Sequence, residues 1–373
     1  MTWYLDFANL LVCLVAILIA LRMKVIPNWI GLVLAIYSFV PYFLNDVLFS
    51  ATYMSDQFMY FRTLEEVRSF NYAYSENIKG TYTAWLLSIL PLPFAETIKS
   101  MGFYNRFLFI ILFIWLYQKK FLRGMPLFFV LFYPSLVLYS SLTIRDPLIM
   151  TMMVVSVILF IDKKYLWSFV VTIPMFFIKF QNFFLMLVFF AIFLIYRKNT
   201  LLYKLRYLLV GLIVLGLTPF INEIILLLDY YRGAMFREDG GDMLNYVPLE
   251  GIYDLFILGA TSLPSSLMKP LPWDASSAFQ FIQSIENIGI LIFLIFFSVR
   301  AYKQDSFVTI KWLLYLSIAL TVYGLVVFNF GTAVRYKYPF IVMYVVGLSY
   351  ELYKLHGYRF KAIFKHNSEG GKI

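Results

Sequence analysis

Apolar residues run through this chain in blocks longer than the stripes of a globular core. Eleven blocks, at 5–21, 30–49, 101–118, 126–142, 147–161, 166–180, 183–196, 207–228, 285–299, 311–328 and 338–353, approach the roughly 20 residues that a membrane-crossing helix needs. The pattern predicts an all-α integral membrane protein, a polytopic bundle of about 11 transmembrane helices. A further apolar stretch, 81–94, is short and ends in Pro91 and Pro93, which marks it as an interfacial or re-entrant helix. Two polar intervals, about 50–100 and 229–284, read as long loops, while the others are short. Residues 1–355 read as one transmembrane domain. Residues 356–373 read as a polar cytoplasmic tail, with Gly370 and Gly371 near its end.

Composition agrees. Hydrophobic residues make up 62% of the 373 and charged residues 14%, against roughly 45–50% and 25% in soluble domains. The net charge of +10 would fit nucleic acid only if it were spread over one surface, and it is not. With the N-terminus outside, 19 of the 31 basic residues fall on the inner side with four acids; the other 12 fall outside with 17 acids. That asymmetry orients the chain with its C-terminus inside and its two long loops outside. Long loops carry function more often than short ones, so the working face is expected outside. The run 5–21 lacks a basic leader and a small-residue cleavage site, so it reads as a span and not a signal peptide. A lone cysteine, Cys13, excludes a disulfide framework and a Cys-based metal cluster. His356 and His366 both lie in the last 18 residues, which argues against a histidine base or a His-ligated metal in the body of the protein.

Three interruptions of the apolar pattern carry charge. The 36 residues from 126 to 161 are broken only by Arg145-Asp146. Two full spans and a turn need more than that, so the turn should be tight and its charges should face a wet cavity or a partner. Asp146 before Pro147 also fits an ordinary helix N-cap, with Arg145 snorkelling outward. The second interruption is Lys179-Phe180-Gln181-Asn182, again in a run too short for two full helices. The third, Arg335-Tyr336-Lys337-Tyr338-Pro339, is expected to enter the last span from outside, where such residues also serve as interface anchors. Together they place Arg145, Lys179, Arg335 and Lys337 at one membrane depth, a cationic arrangement suited to a lipid phosphate or diphosphate.

The long loops supply acids and aromatics. Asp56, Glu65, Glu66 and Glu76 stand in the first with Arg62 and Arg68, at a spacing that also fits surface ion pairs on a helix. The second holds Asp229, Arg232, Arg237-Glu238-Asp239-Gly240-Gly241-Asp242 and Pro270-Leu271-Pro272-Trp273-Asp274, with Glu286 at the next span. Trp273 reads either as an interface anchor or as a sugar-stacking platform.

The residues Ser141-Leu142-Thr143-Ile144-Arg145-Asp146, Lys179-Phe180-Gln181-Asn182, Pro270-Leu271-Pro272-Trp273 with Glu286, and Arg335-Tyr336-Lys337-Tyr338-Pro339 give the chain a family likeness. It resembles the Wzy-type O-antigen and capsule repeat-unit polymerases, especially the EpsG-like branch, within the C-type membrane glycosyltransferases. The resemblance covers most of the chain in topology and about two dozen residues in motif; at Lys179 the family more often carries Arg. It implies an enzyme of the bacterial inner membrane that joins undecaprenyl-diphosphate-linked oligosaccharide repeat units on the outer side, using no nucleotide sugar, cofactor or metal. Its implied surroundings are membrane lipids and the flippase and chain-length regulator of the same pathway, with no nucleic acid. Under it, Arg145, Lys179, Arg232, Arg335 and Lys337 would bind the diphosphate, with Arg237, Gln181, Trp273 and Tyr336 as further substrate contacts. The catalytic candidates would be Arg145 and one carboxylate among Asp146, Glu65, Asp239 and Asp274. A transferase adding single sugars from a polyprenyl-phosphate donor fits the same topology, and a lipid-linked oligosaccharide flippase or other transporter is a further alternative. The scarcity of histidine disfavours a membrane O-acyltransferase and a polymer ligase.

Overall fold

The structure is a computed structural model that describes residues 3–45, 47–71, 78–198, 200–238 and 243–360. Asp239, Gly240, Gly241, Asp242, Glu76 and the tail beyond residue 360, with His366, lie outside the described residues. Among those described the chain is helical, and its one extended pairing is a bridge between Asn45 and Phe49. Five helices are long and apolar enough to cross a membrane: Tyr4–Arg22, Ser100–Gln118, Arg206–Arg237, Ala278–Gln304 and Ser306–Val326. Shorter apolar helices are Asn28–Leu44, Asp146–Ile161, Tyr165–Ile178, Phe180–Ile195 and Ile252–Met268.

Several expected boundaries are corrected, each for a local reason. The run 126–142 is two pieces, Met125–Phe132 and Pro134–Tyr139, because Pro134 lacks a donor and holds Tyr133 in extended conformation. The second long loop is not a loop throughout. It contains the 17-residue apolar helix Ile252–Met268, with Pro264 inside it, and Asp254 and several Ser, Thr and Gly dilute the apolar run there. The helix Ile221–Glu238 continues ten residues past 228, so Asp229 to Arg232 are helical. The residues Arg335 to Pro339 lie inside the 27-residue helix Phe330–His356 and not in a turn before it. In the first long loop, Asp56–Arg68 and Ile78–Ser88 are helices, the latter overlapping the first part of the stretch 81–94 expected to be interfacial.

The chain divides into two compact units, one of residues 1–183 with 345–373 and one of residues 184–344. In the first, Phe7–Arg22 packs on Asn28–Ser38 and Ser100–Gln118, while Asp146–Ile161 packs on Ser100–Gln118 and Tyr165–Ile178. Apolar side chains such as Leu11, Val15 and Leu18 face outward, a pattern unlike a water-soluble surface. Polar contacts between helices add to the packing. Ser156 Oγ lies 2.8 Å from Thr172 Oγ1, and Ser168 Oγ donates to Ser156 O at 2.8 Å. Such bonds between apolar helices average roughly 0.6 kcal/mol each.

One end of this unit gathers helix C-termini and cations. Asp162 accepts from Lys119 Nζ at 3.1 Å, Lys354 Nζ at 2.9 Å and the Tyr350 hydroxyl at 2.7 Å. This joins the ends of Ser100–Gln118, Asp146–Ile161 and Phe330–His356. Burial alone would raise the Asp162 carboxyl, but the hydrogen bonds from Tyr350, Lys354 and Lys119 outweigh it and hold the group below the usual carboxylate range. A cleft lined by Lys24, Tyr117 and Arg123 brings the end of Phe7–Arg22 to the same place.

In the second unit, Ile252–Met268, Ala278–Gln304 and Ile221–Glu238 pack on Ser306–Val326. Gly324 makes the first contact possible: a Cβ there would stand 2.6 Å from Ser262 O. Ser277 and Asp305 cap two of the helices, accepting from Gln280 N and Val308 N. Phe189, Phe193, Trp312 and Tyr315 form an aromatic cluster.

Candidate functional site

The turn before Asp146–Ile161 is held from three sides. Gly102 lets the helix Ser100–Gln118 meet the backbone of Ser141; a Cβ at 102 would collide with the Ser141 carbonyl. Asn105 Nδ2 donates to Leu142 O and Ile144 O, both at 2.7 Å. Arg106 donates to Val137 O at 2.6 Å and to the Ser141 hydroxyl. Thr143 N donates to Gln57 Oε1 at 3.3 Å, Gln57 is locked to Asn45 by two 3.0 Å bonds, and the Thr143 hydroxyl donates to Ile98 O. Each backbone carbonyl bound this way is spared an unmet hydrogen bond in apolar surroundings. The turn is therefore rigid, and it fixes where Arg145 and Asp146 begin.

Asp146 is not the expected N-cap. The cap residue is Arg145, which makes no side-chain capping bond, and Asp146 is already the first helical residue. Its carboxylate pairs with Lys179 Nζ at 3.0 Å, and both side chains are almost completely buried. Lys179 sits where Tyr165–Ile178 ends and Phe180–Ile195 begins, at φ −153° and ψ 85°. The broken ladder leaves the Ile178 carbonyl for Arg145 Nη1, which donates to it at 3.0 Å. The Arg145 guanidinium lies 5.9 Å from the centre of the Tyr60 ring, and its Nε is buried with no hydrogen-bond partner among the described residues. The group Arg145–Asp146–Lys179 thus sets two cations around one carboxylate. Asn182 is buried, with Nδ2 3.3 Å from Met153 Sδ, whereas Gln181 is exposed.

The remaining candidates separate into braces and surface groups. In the second unit Lys337 is 2% exposed. Its Nζ donates to Ser266 O at 3.0 Å, Leu267 O at 3.3 Å and Asn287 Oδ1 at 2.7 Å. These bonds use all three of its protons, and Lys337 stands inside the helix Phe330–His356, not in an entry turn before it. A cavity of about 300 Å³ lies beside it, lined by Tyr323, Phe328, Phe330 and Lys269. Arg232 is buried and donates to Leu325 O at 2.9 Å and Val247 O at 3.2 Å, with its guanidinium over Phe328. Its partner in the sequence, Asp229, accepts from the Tyr246 hydroxyl and Leu249 N, both at 2.7 Å. Asp274 accepts from Leu271 N at 3.1 Å. Arg237 is exposed, and Trp273 is 78% exposed. Arg335 is half-buried with its guanidinium 5.9 Å from the Tyr336 ring, and that ring packs on Tyr323.

Glu65 is exposed on the helix Asp56–Arg68 and lines a cleft of about 640 Å³ with Trp85, Ser88 and Glu96. Arg68 fixes the cleft's proline-rich wall by donating to Ser88 O, Leu92 O and Pro93 O at 3.3, 2.6 and 2.9 Å. Tyr60, next to Arg145, is on the same helix, five residues or about 7.5 Å along the axis from Glu65.

The residues missed from the sequence are those that hold the turn. Arg106 is fully buried inside a span-length helix, with its guanidinium near the Tyr37 and Phe109 rings. The signal was present, since a charge within an apolar run marks a site that needs partners. Trp85 and Glu96 gave no comparable signal. Among the described residues no group of three or more His, Cys, Asp or Glu is placed to hold a metal ion. No family model matches the chain, and neither a curated protein nor a solved structure is similar to it.

Proposed function

We propose that the chain is a multi-pass protein of a bacterial inner membrane that joins undecaprenyl-diphosphate-linked oligosaccharide repeat units on the outer side. The observation that carries this reading is the Arg145–Asp146–Lys179 group: a guanidinium with an unmatched donor beside a buried ion pair, on a rigid turn between apolar helices. A guanidinium edge matches phosphate oxygens. In this reading Arg145 binds the donor diphosphate and offsets the charge that grows as the sugar–phosphate bond breaks. Asp146 and Lys179 hold Arg145 in place. The acceptor hydroxyl attacks the anomeric carbon, the diphosphate leaves, and the hydroxyl proton passes to a carboxylate. Glu65 is the best-placed candidate, because Asp146 is paired with Lys179 and Asp274 caps a backbone amide. Trp85, 47% exposed in the same cleft, offers a face for a sugar ring.

The basic end of the first unit, with Lys24, Lys119, Arg123 and Lys354, faces the cytoplasm in this reading and Arg145 faces outward. The test is polymer formation in a host lacking its own polymerase. Arg145→Ala is expected to reach the membrane at normal levels and to abolish long polymer. Normal ladders from that variant would remove Arg145 from the mechanism. A one-sugar shift from the unaltered protein would assign a single-sugar transferase instead.

A further inference from the structure

The charge at the far end of the first unit is not spent on the chemistry above. The helix Asp146–Ile161, of 16 residues, separates the two ends by about 24 Å. There a cleft of about 490 Å³ opens between residues 21–28 and 117–123, within the size range of small-ligand sites. Lys24 and Arg123 line it with Asn28, Tyr117 and Pro27, and no carboxylate does. The Arg123 guanidinium lies 4.2 Å from the centre of the Tyr117 ring and donates to the Tyr117 hydroxyl. Stacking of that kind orients the planar fork before any ligand arrives.

Lys24 adds a second, independent observation. It follows the helix Phe7–Arg22 at φ 53°, with Lys24 N bonded to Leu21 O and Val25 N to Ala20 O. This is the left-handed helix-ending position where glycine is ordinary and a side chain is strained. The chain keeps a lysine there, at the lip of the cleft. Lys120 and Lys163 end two neighbouring helices in the same way, at φ 63° each. Three exposed lysines thus occupy strained helix-ending positions, and Lys24 is the one that lines the cleft.

We propose that this cleft binds the phosphate headgroup of an anionic membrane lipid. Basic recesses between helices at the cytoplasmic surface meet such headgroups. Tyr117, Pro27 and Leu21 supply an apolar wall for the adjoining glycerol and chain, and Asn28 adds a polar contact. The inference rests on the membrane placement proposed above but not on glycosyl transfer, which is scored separately by polymer ladders.

The experiment uses full-length protein in a neutral detergent, titrated with dioctanoyl phosphatidylglycerol, dioctanoyl phosphatidylcholine and inorganic phosphate. Binding is read by native mass spectrometry and thermal shift. The phosphatidylglycerol is expected to bind and to raise the unfolding midpoint, and the phosphatidylcholine is not. The double variant Lys24→Gly with Arg123→Gln is expected to bind the anionic lipid about 30-fold more weakly. Lys24→Gly alone, which relieves the left-handed strain, should raise the lipid-free midpoint by about 1–2 °C, so weakened binding would not reflect misfolding. Equal binding of the two lipids, or wild-type affinity in the double variant, overturns the proposal. Inorganic phosphate reproducing the shift with the same dependence on Lys24 and Arg123 overturns the lipid as its source and leaves a site for a soluble phosphate.

Discussion

The two ends of the first unit use the same residue types in opposite ways. At one, Lys179, Arg106 and part of Arg145 are buried, and each is defined by what it touches: a carboxylate, carbonyls, hydroxyls and aromatic rings. At the other, Lys24, Lys120 and Lys163 are exposed and are defined by where they stand, on backbone that would rather carry glycine. Buried cations should therefore contribute to stability through their partners, and removing one partner should cost more than removing both. Exposed cations on left-handed backbone should cost stability and serve something other than folding.

The sharpest way to break this contrast is at the buried pair. Lys179→Met leaves Asp146 without its cation, at a cost of about 3–5 kcal/mol, measured by denaturant unfolding in detergent. Lys179→Met combined with Asp146→Leu should recover most of that loss; equal losses in the single and double variants would show that the pair is not what holds the region. A smaller effect is expected at Gly102. Gly102→Ala forces the Ser141 backbone away, costing about 1–3 kcal/mol, and under the proposed function should lower polymer output by displacing Arg145. Unchanged stability and output would mean that the turn is not braced by this contact.

Asp162 sharpens the comparison from the other end. Its folded-state carboxyl is held below the ordinary 3.8, so its contribution is present above that value and is lost as pH falls through the lower folded value. The midpoint difference between wild type and Asp162→Asn should be full at neutral pH and shrink in that acid window. A difference that grows on acidification would reverse the sign. The smallest effect is Lys120→Gly, expected to stabilise by about 0.5–1 kcal/mol through relief of the left-handed backbone; destabilisation would show that Lys120 has a structural partner.

Run length made the helices Phe7–Arg22, Ser100–Gln118, Asp146–Ile161 and Tyr165–Ile178 legible, because apolar solvent leaves few other uses for such runs. It failed at Ile252–Met268, where Asp254 and Pro264 broke the count, and at the start of Phe330–His356, where Arg335 and Lys337 looked like a loop. Arg145, Asp146 and Lys179 stood out as charges interrupting apolar sequence. Their pairing did not, since 33 residues separate Asp146 from Lys179 and helical spacing says nothing about contacts across such a distance. Arg106 stood as a charge inside the predicted span 101–118, but nothing in the sequence showed that Val137 and Ser141 would be its partners.

The shortness of the helices has a further consequence for the surrounding lipid. Asp146–Ile161 and Tyr165–Ile178 have 16 and 14 residues, or about 24 and 21 Å, against a hydrocarbon thickness of about 30 Å. In the proposed membrane setting, helices this short are met by local thinning of the bilayer or by flanking residues that reach out to it. Where the bilayer thins, phosphate groups would sit lower than elsewhere in the leaflet. Under the proposed function, such a mismatch would bring a lipid-borne diphosphate closer to Arg145, without the arginine having to reach up to the membrane surface.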